Sequence, residues 1–287
     1  MRWVSAVNSM VLMCGILIGL DGTHAFAGFD EGIEAYQEGA FAVALGEFRP
    51  LAAQGDATAQ YALGVMYRNG EGVARDDQQA VEWYRRAAVQ GHAMAQSSLG
   101  FMYLMGNGVA RNDVKATDWF RKAAEQGDAA AQYNLGHAYW DGRGVPQDDK
   151  LAEQWIRMAA AQEYASAQSD LGVMYEEGKV LPQDDKQALA WYRKAAAQGH
   201  ARAQSNLGAM YLHGRGVTRN AVIAFALFSV AEGNFEIAAS NRTAVARVLT
   251  PEQIAEGEAL SRQLAREDSF LVVLDAATER VPSSAGR

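Results

Sequence analysis

Cysteine is almost absent: Cys14 is the only one in 287 residues. No disulfide framework is available, so packing alone has to hold the molecule together. Basic runs are missing too. No stretch of Lys and Arg exceeds two residues, and the net charge is −8. Nucleic-acid binding needs a clustered basic footprint, so nucleic acid is not an expected partner. Long apolar runs are also lacking. The longest, Val11–Leu20 (VLMCGILIGL), falls short of the ~20 residues that span a bilayer. With Arg2 before it and Ala25-Phe26-Ala27 after it, residues 1–27 read as an export signal cut after Ala27. The competing reading is an uncleaved anchor. A lipoprotein would want a small residue before Cys14, and Met13 stands there instead.

Catalytic signatures are equally scarce. No serine is followed three residues on by lysine, and neither G-x-S-x-G nor H-E-x-x-H occurs. Past the signal, the histidines are His92, His137, His200 and His213, and no pair has metal-ligand spacing. The pairs Asp76-Asp77, Asp148-Asp149 and Asp184-Asp185 read as a helix cap plus a solvated loop residue rather than a calcium site. No catalytic residue, metal or cofactor is expected.

What the chain does have is a period. Gly64, Gly100, Gly136, Gly172 and Gly208 recur every 36 residues. Each follows an Ala-x-Ala-Gln run and a Leu, and each precedes a Tyr by three. Such spacing predicts a solenoid in which every unit buries its apolar face against its neighbours. The five units run 57–92, 93–128, 129–164, 165–200 and 201–236. Each opens with a helix carrying one apolar face (Ala59, Leu63, Met66 and Tyr67 in the first), then a Gly-x-Gly-Val turn. A second helix is expected to be capped by Asp77, Asp113, Asp149 or Asp185. It carries Trp83 and Tyr84, or their equivalents, to fill the gap against the adjacent pair. Small residues at Gly64 and its copies let helices approach closely. The predicted fold is all-α, a right-handed α/α superhelix of antiparallel helix pairs.

The ends differ from the middle. Residues 28–56 form a degenerate capping pair, and 237–270 make C-terminal capping helices. Of these, the last opens at the capping box Thr250-Pro251-Glu252-Gln253. Residues 271–287 are expected to be a partly disordered tail, with Phe270–Leu274 folding back onto this end. In the fifth unit Ala221 and Leu227 replace the capping aspartate and the tryptophan. Val180 replaces the second loop glycine of the fourth unit, and Glu163 the glycine ending the third. A β-branched residue disfavours positive φ, so the Val180 loop should take a different path.

The pattern A-x-A-Q-x-x-L-G-x-x-Y…G-x-G-V…D…A-x-x-W-Y-R-K-A-A-x-Q-G resembles the Sel-one-like repeat (SLR) family, within the tetratricopeptide-like superfamily. The likeness is dense over 57–236 and weak over 29–56, and Asn241–Ala255 resembles the tail of exported proteobacterial members. It implies an adaptor for protein complexes. Exported bacterial members serve in signalling regulation, envelope or polysaccharide assembly, and host interaction.

Within each first helix, counted from Ala57 as position one, positions two, five, nine and twelve vary while the packing positions hold. By similarity to tetratricopeptide arrays, this stripe lines the concave surface. It carries Tyr61, Val65, Arg68, Met94, Phe101, Leu104, Tyr133, His137, Trp140, Val173, Glu176, Arg202 and Leu212. Aromatic and Arg residues are the usual anchors of protein interfaces. The expected partner-binding residues are Tyr61, Arg68, Phe101, Leu104, Tyr133, His137, Trp140, Glu176 and Arg202. The bland account has some of these packing between units. The expectation is a periplasmic, non-enzymatic scaffold for a protein partner, touching the membrane only through a membrane protein. The competing classes are a cell-wall or β-lactam hydrolase, as in a cysteine-rich branch whose paired cysteines are missing here, and a secreted host-interaction factor.

Overall fold

A computed structural model describes residues 28–266 and 269–279. The export-signal reading falls on residues 1–27, and the end of the expected tail on 280–287; both lie outside the described residues. Among the described residues there are fifteen α-helices and no strand. They divide between Asp148 and Asp149 into two compact units, and the division falls inside the third repeat.

In the first unit the helices are α1 (Phe29–Gln37), α2 (Phe41–Ala53), α3 (Ala57–Asn69), α4 (Asp77–Val89), α5 (Ala93–Met105), α6 (Asp113–Glu125) and α7 (Ala129–Asp141). The second holds α8 (Asp149–Ala161), α9 (Ala165–Glu177), α10 (Asp185–Ala197), α11 (Ala201–His213), α12 (Ala221–Ala231), α13 (Glu236–Ala246), α14 (Pro251–Leu264) and α15 (Phe270–Glu279). Within each unit, consecutive helices pack as pairs.

Local chemistry fixes the helix ends. Asp56 caps α3 by accepting from the Ala59 amide at 2.7 Å, and Asp128 caps α7 in the same way. At the equivalent place His92 and His200 accept through Nδ1 at 3.3 Å. Gly70 ends α3 at φ 76°, a left-handed conformation that side chains resist. The caps of the second helices lie one residue earlier than the sequence suggests. Asp76, Asn112, Asp184 and Asn220 accept from the amides two or three residues on. A cap needs extended backbone so that its side chain can turn back onto the helix, and Asp76 has it at φ −147°. Asp77, Asp113, Asp149 and Asp185 are instead the first helical residues, where a negative charge favours the helix dipole. The fifth repeat therefore keeps its cap in Asn220.

Close approach within a pair depends on the periodic glycine. A Cβ on Gly64 would lie 2.5 Å from the Tyr84 ring, and one on Gly172 would lie 2.4 Å from Tyr192. Those rings fill the space inside their own pair. The tryptophans do not act as gap fillers: Trp83, Trp119 and Trp191 are half-buried. Arg86, Lys122 and Lys194 lie over their rings at 4.5, 4.2 and 4.3 Å.

The repeated glutamine tacks each repeat to the previous one. Buried Gln60 donates to the Ala52 carbonyl at 3.1 Å and accepts from Gln90 at 2.8 Å. Gln96 and Gln168 repeat the arrangement with Ala88 and Gln126, and with Ala160 and Gln198. A buried amide left unpaired would be costly, which explains the constancy of this position.

Three end features complete the picture. Thr250 and Gln253 form the capping box of α14, with Pro251 at its first turn. Residues 271–279, expected as part of a tail, are helical, because Phe270 and Leu274 are buried in the core cluster with Phe225 and Phe228. Glu163 adopts φ 61°, the one non-glycine at positive φ among the described residues, whereas Val180 avoids that region.

Candidate functional site

The first unit presents most of the stripe. Phe101 and Leu104 project from α5, and Tyr133, His137 and Trp140 from α7, at spacings that keep each set on one helix face. All five are half-buried, as is Arg68 on α3. The Arg68 guanidinium lies over the Phe101 ring, 5.4 Å from its centroid. His137 stands between two rings, edge-on to Tyr133 at 4.6 Å and stacked on Trp140 at 5.9 Å.

Leu104, Tyr133 and His137 converge on a pocket of about 130 Å³, with Asp113, Thr117, Phe120, Asn134, Ala138 and Arg143 completing its wall. The Thr117 hydroxyl lies 2.9 Å from the Asp113 carbonyl and 3.0 Å from that of Arg143. Asp113 is gripped by Arg111 through two hydrogen bonds of 2.9 and 3.0 Å, which hold its carboxyl below the usual range. Arg143 donates to Asp141. Of these six further wall residues, sequence singled out Asp113 alone, and only as a helix cap. A weak signal existed at one: Thr117 is polar and buried at the register where α4 and α10 carry Val81 and Leu189, and α8 carries Glu153 there.

Tyr61 does not belong to this surface. It is 2% exposed, with its ring stacked on His92 at 4.9 Å and 5.8 Å from Tyr84. Burial drives its hydroxyl pKa far up. Val65 is likewise core. Register placed both on the stripe's face, but the imidazole capping the next helix roofs Tyr61 over.

In the second unit the predicted charges are engaged internally. Glu176 accepts from the Tyr192 hydroxyl at 2.5 Å and from Arg215 at 2.6 Å. Arg215 also reaches Asp185 at 2.6 Å, a carboxylate pairing that raises its own pKa. Arg202 donates to Asp170 at 2.8 Å, and that carboxylate is almost fully buried. These pairs brace α9, α10 and α11. Among the described residues, no three His, Cys, Asp or Glu side chains gather as metal ligands.

Stacked helix pairs built from one repeating unit define an α/α solenoid. Residues 57–92, 93–128, 129–164, 165–200 and 201–231 each match the Sel1 repeat, and the chain belongs to the Sel1 repeat family. Proteins of this family are generally protein-interaction scaffolds. A Sel1 repeat protein from Oxalobacter formigenes is 33% identical, with a TM-score of 0.63 over 72% of this chain and 85% of its own. The protective antigen c5321 of uropathogenic Escherichia coli, which displays an SLR fold, is 26% identical over 97% of this chain and 84% of its own, at a TM-score of 0.42. Immunity protein Pa5087 from Pseudomonas aeruginosa is 22% identical over 74% and 84%, at 0.48. No curated protein matches the chain significantly.

Proposed function

We propose that this chain is an exported scaffold that holds a partner protein along the first-helix stripe of its first unit, through Arg68, Phe101, Leu104, Tyr133, His137 and Trp140. The observation that carries this is the run of half-buried rings on α5 and α7, two of which, Tyr133 and His137, line a preformed pocket. Large, rigid aromatic side chains left partly open to water are what interface anchors are made of. Export rests on the signal-like residues 1–27, and the compartment proposed is the bacterial periplasm. Regulation of a signalling system, or assembly of envelope or exopolysaccharide machinery, is the proposed setting.

Affinity capture with the purified protein, repeated with a Phe101→Ala/Trp140→Ala double variant, tests the interface. Loss of one specific partner with circular dichroism unchanged is the expected result. Equal capture by both chains would remove the stripe assignment. Fractionation tests location: release by osmotic shock supports the periplasm, and recovery from the culture medium counts against it.

A further inference from the structure

We infer that the pocket walled by α5, α6 and α7 receives one uncharged apolar side chain of the partner segment, of leucine, methionine or phenylalanine size. This deepens the scaffold reading and rests on it. Volume comes first. Ligand and cofactor sites run to roughly 300–1,000 Å³, and this pocket holds about 130 Å³. A nucleotide or organic cofactor does not fit; a single side chain does.

Wall chemistry then selects the kind of side chain. Leu104, Phe120 and Ala138 supply carbon surface, and the rings of Tyr133 and His137 flank it. Both charges in the wall are already neutralised, Asp113 by Arg111 and Arg143 by Asp141. The Thr117 hydroxyl is committed to backbone carbonyls, and the Asn134 amide donates to the Ala130 carbonyl at 2.9 Å. A charged guest would shed its water and meet no uncompensated opposite charge, so its desolvation would go unrecovered. An apolar guest sheds little and covers carbon. His137 is held between Tyr133 and Trp140, so the wall stands ready before any partner arrives.

The test uses the isotope-labelled whole protein and three probes: N-acetyl-leucine amide, N-acetyl-lysine amide and N-acetyl-aspartate amide. Backbone amide signals of Thr117, Asn134 and Ala138 are expected to shift saturably with the leucine probe alone, with a Kd of about 1–10 mM, as suits so small a ligand. An Ala138→Leu variant, which fills the space, should weaken this about tenfold or more. Tyr133→Ala removes a wall without filling the pocket and should weaken it too, which guards against a variant that merely misfolds. No saturable shift in the unaltered protein, or an equal response to the lysine or aspartate probe, overturns the inference. Failure of the scaffold reading shows elsewhere. Phe101 and Trp140 do not line the pocket, so capture that survives their removal sinks the interface while leucine-probe binding is scored independently.

Discussion

Arg193 reaches from α10 to Asp275 on α15, with its Nη2 2.6 Å from the carboxylate. Earlier repeats do not need such a partner. Arg85 pairs with Glu82 and Arg121 with Asp118 on their own helices, and Arg157 pairs with Glu153. At the same offsets before Arg193 stand Ala190 and Leu189, which carry no charge. The C-terminal helix supplies the missing carboxylate. It also takes the hydroxyl of Tyr211, 2.8 Å from Thr278.

An Asp275→Ala change should therefore loosen α15 and little else. The carboxylate is 54% exposed, so the pair is worth about 0.2–1 kcal/mol and is screened by salt. Hydrogen exchange over residues 270–279 should accelerate about two- to fivefold, with the urea midpoint of the whole chain almost unmoved. Leu274→Ala, which empties a fully buried site, should cost about 2–5 kcal/mol locally. Identical exchange in the Asp275 variant and the parent would show that apolar contact alone seats the helix.

Two glycines in helix interiors should answer oppositely to alanine. At Gly64 the new methyl would sit 2.5 Å from the buried Tyr84 ring, which has nowhere to move. Overpacking of this kind costs about 1–3 kcal/mol. At Gly46 on α2, nothing lies within 4 Å of the added carbon and the site is exposed. There the lost backbone freedom of the unfolded chain should dominate, and stability should rise by about 0.5–1 kcal/mol. Denaturant midpoints of the two variants against the parent decide it. A stable Gly64→Ala protein would mean the helix pair can spread.

The repeat, its two-helix content and its Gly-x-Gly turns were all legible, because each rests on local spacing. The off-by-one caps were not: Asp76 and Asp77 are the same residue type, and only backbone angle separates them. The stripe was half legible for a different reason. Tyr61 and Tyr133 share a register and a side chain, yet one is core and the other half-buried. Register sets the face a residue occupies; what a neighbouring repeat lays over that face is a tertiary fact. The seat of α15 did leave a trace, in an arginine with no acid three or four residues before it, but a ten-residue apolar segment does not announce itself as a helix.

The histidine caps make stability fall in mild acid. His92 and His200 accept through Nδ1, which a second proton would block. Burial lowers both pKa values below the ordinary one; nearby Asp56 partly opposes this for His92, and Asp170 does so for His200, where Arg202 adds to the lowering. The unfolded chain therefore binds more protons once the pH drops to about 6.5. The caps contribute fully above that pH, and their contribution is lost as pH falls through it toward the folded values. The fall in urea midpoint from pH 7.5 to 5.5 should be larger in the parent than in a His92→Asn/His200→Asn chain, since asparagine caps without titrating there. Burial raises the Asp128 pKa, an effect of opposite sign; it is common to both chains and cancels. An unchanged pH slope would assign the acid sensitivity to other groups.

Tyr61 and Trp140 separate core from surface within one stripe. Tyr61 is 2% exposed between Tyr84 and His92, so Tyr61→Ala removes a ring the surroundings cannot replace. A loss of about 3–5 kcal/mol is expected, enough to unfold a marginal domain. Trp140 touches His137 on one face and is half-buried. Its removal forfeits a stacking contact worth about 0.5–1.5 kcal/mol and leaves the helix pairs intact. Thermal melting of the two single variants should therefore differ by many degrees, with capture of the partner lost in the Trp140 variant while its fold persists. Equal destabilisation by both would make Trp140 a packing residue and take from the first unit the anchor on which its binding role depends.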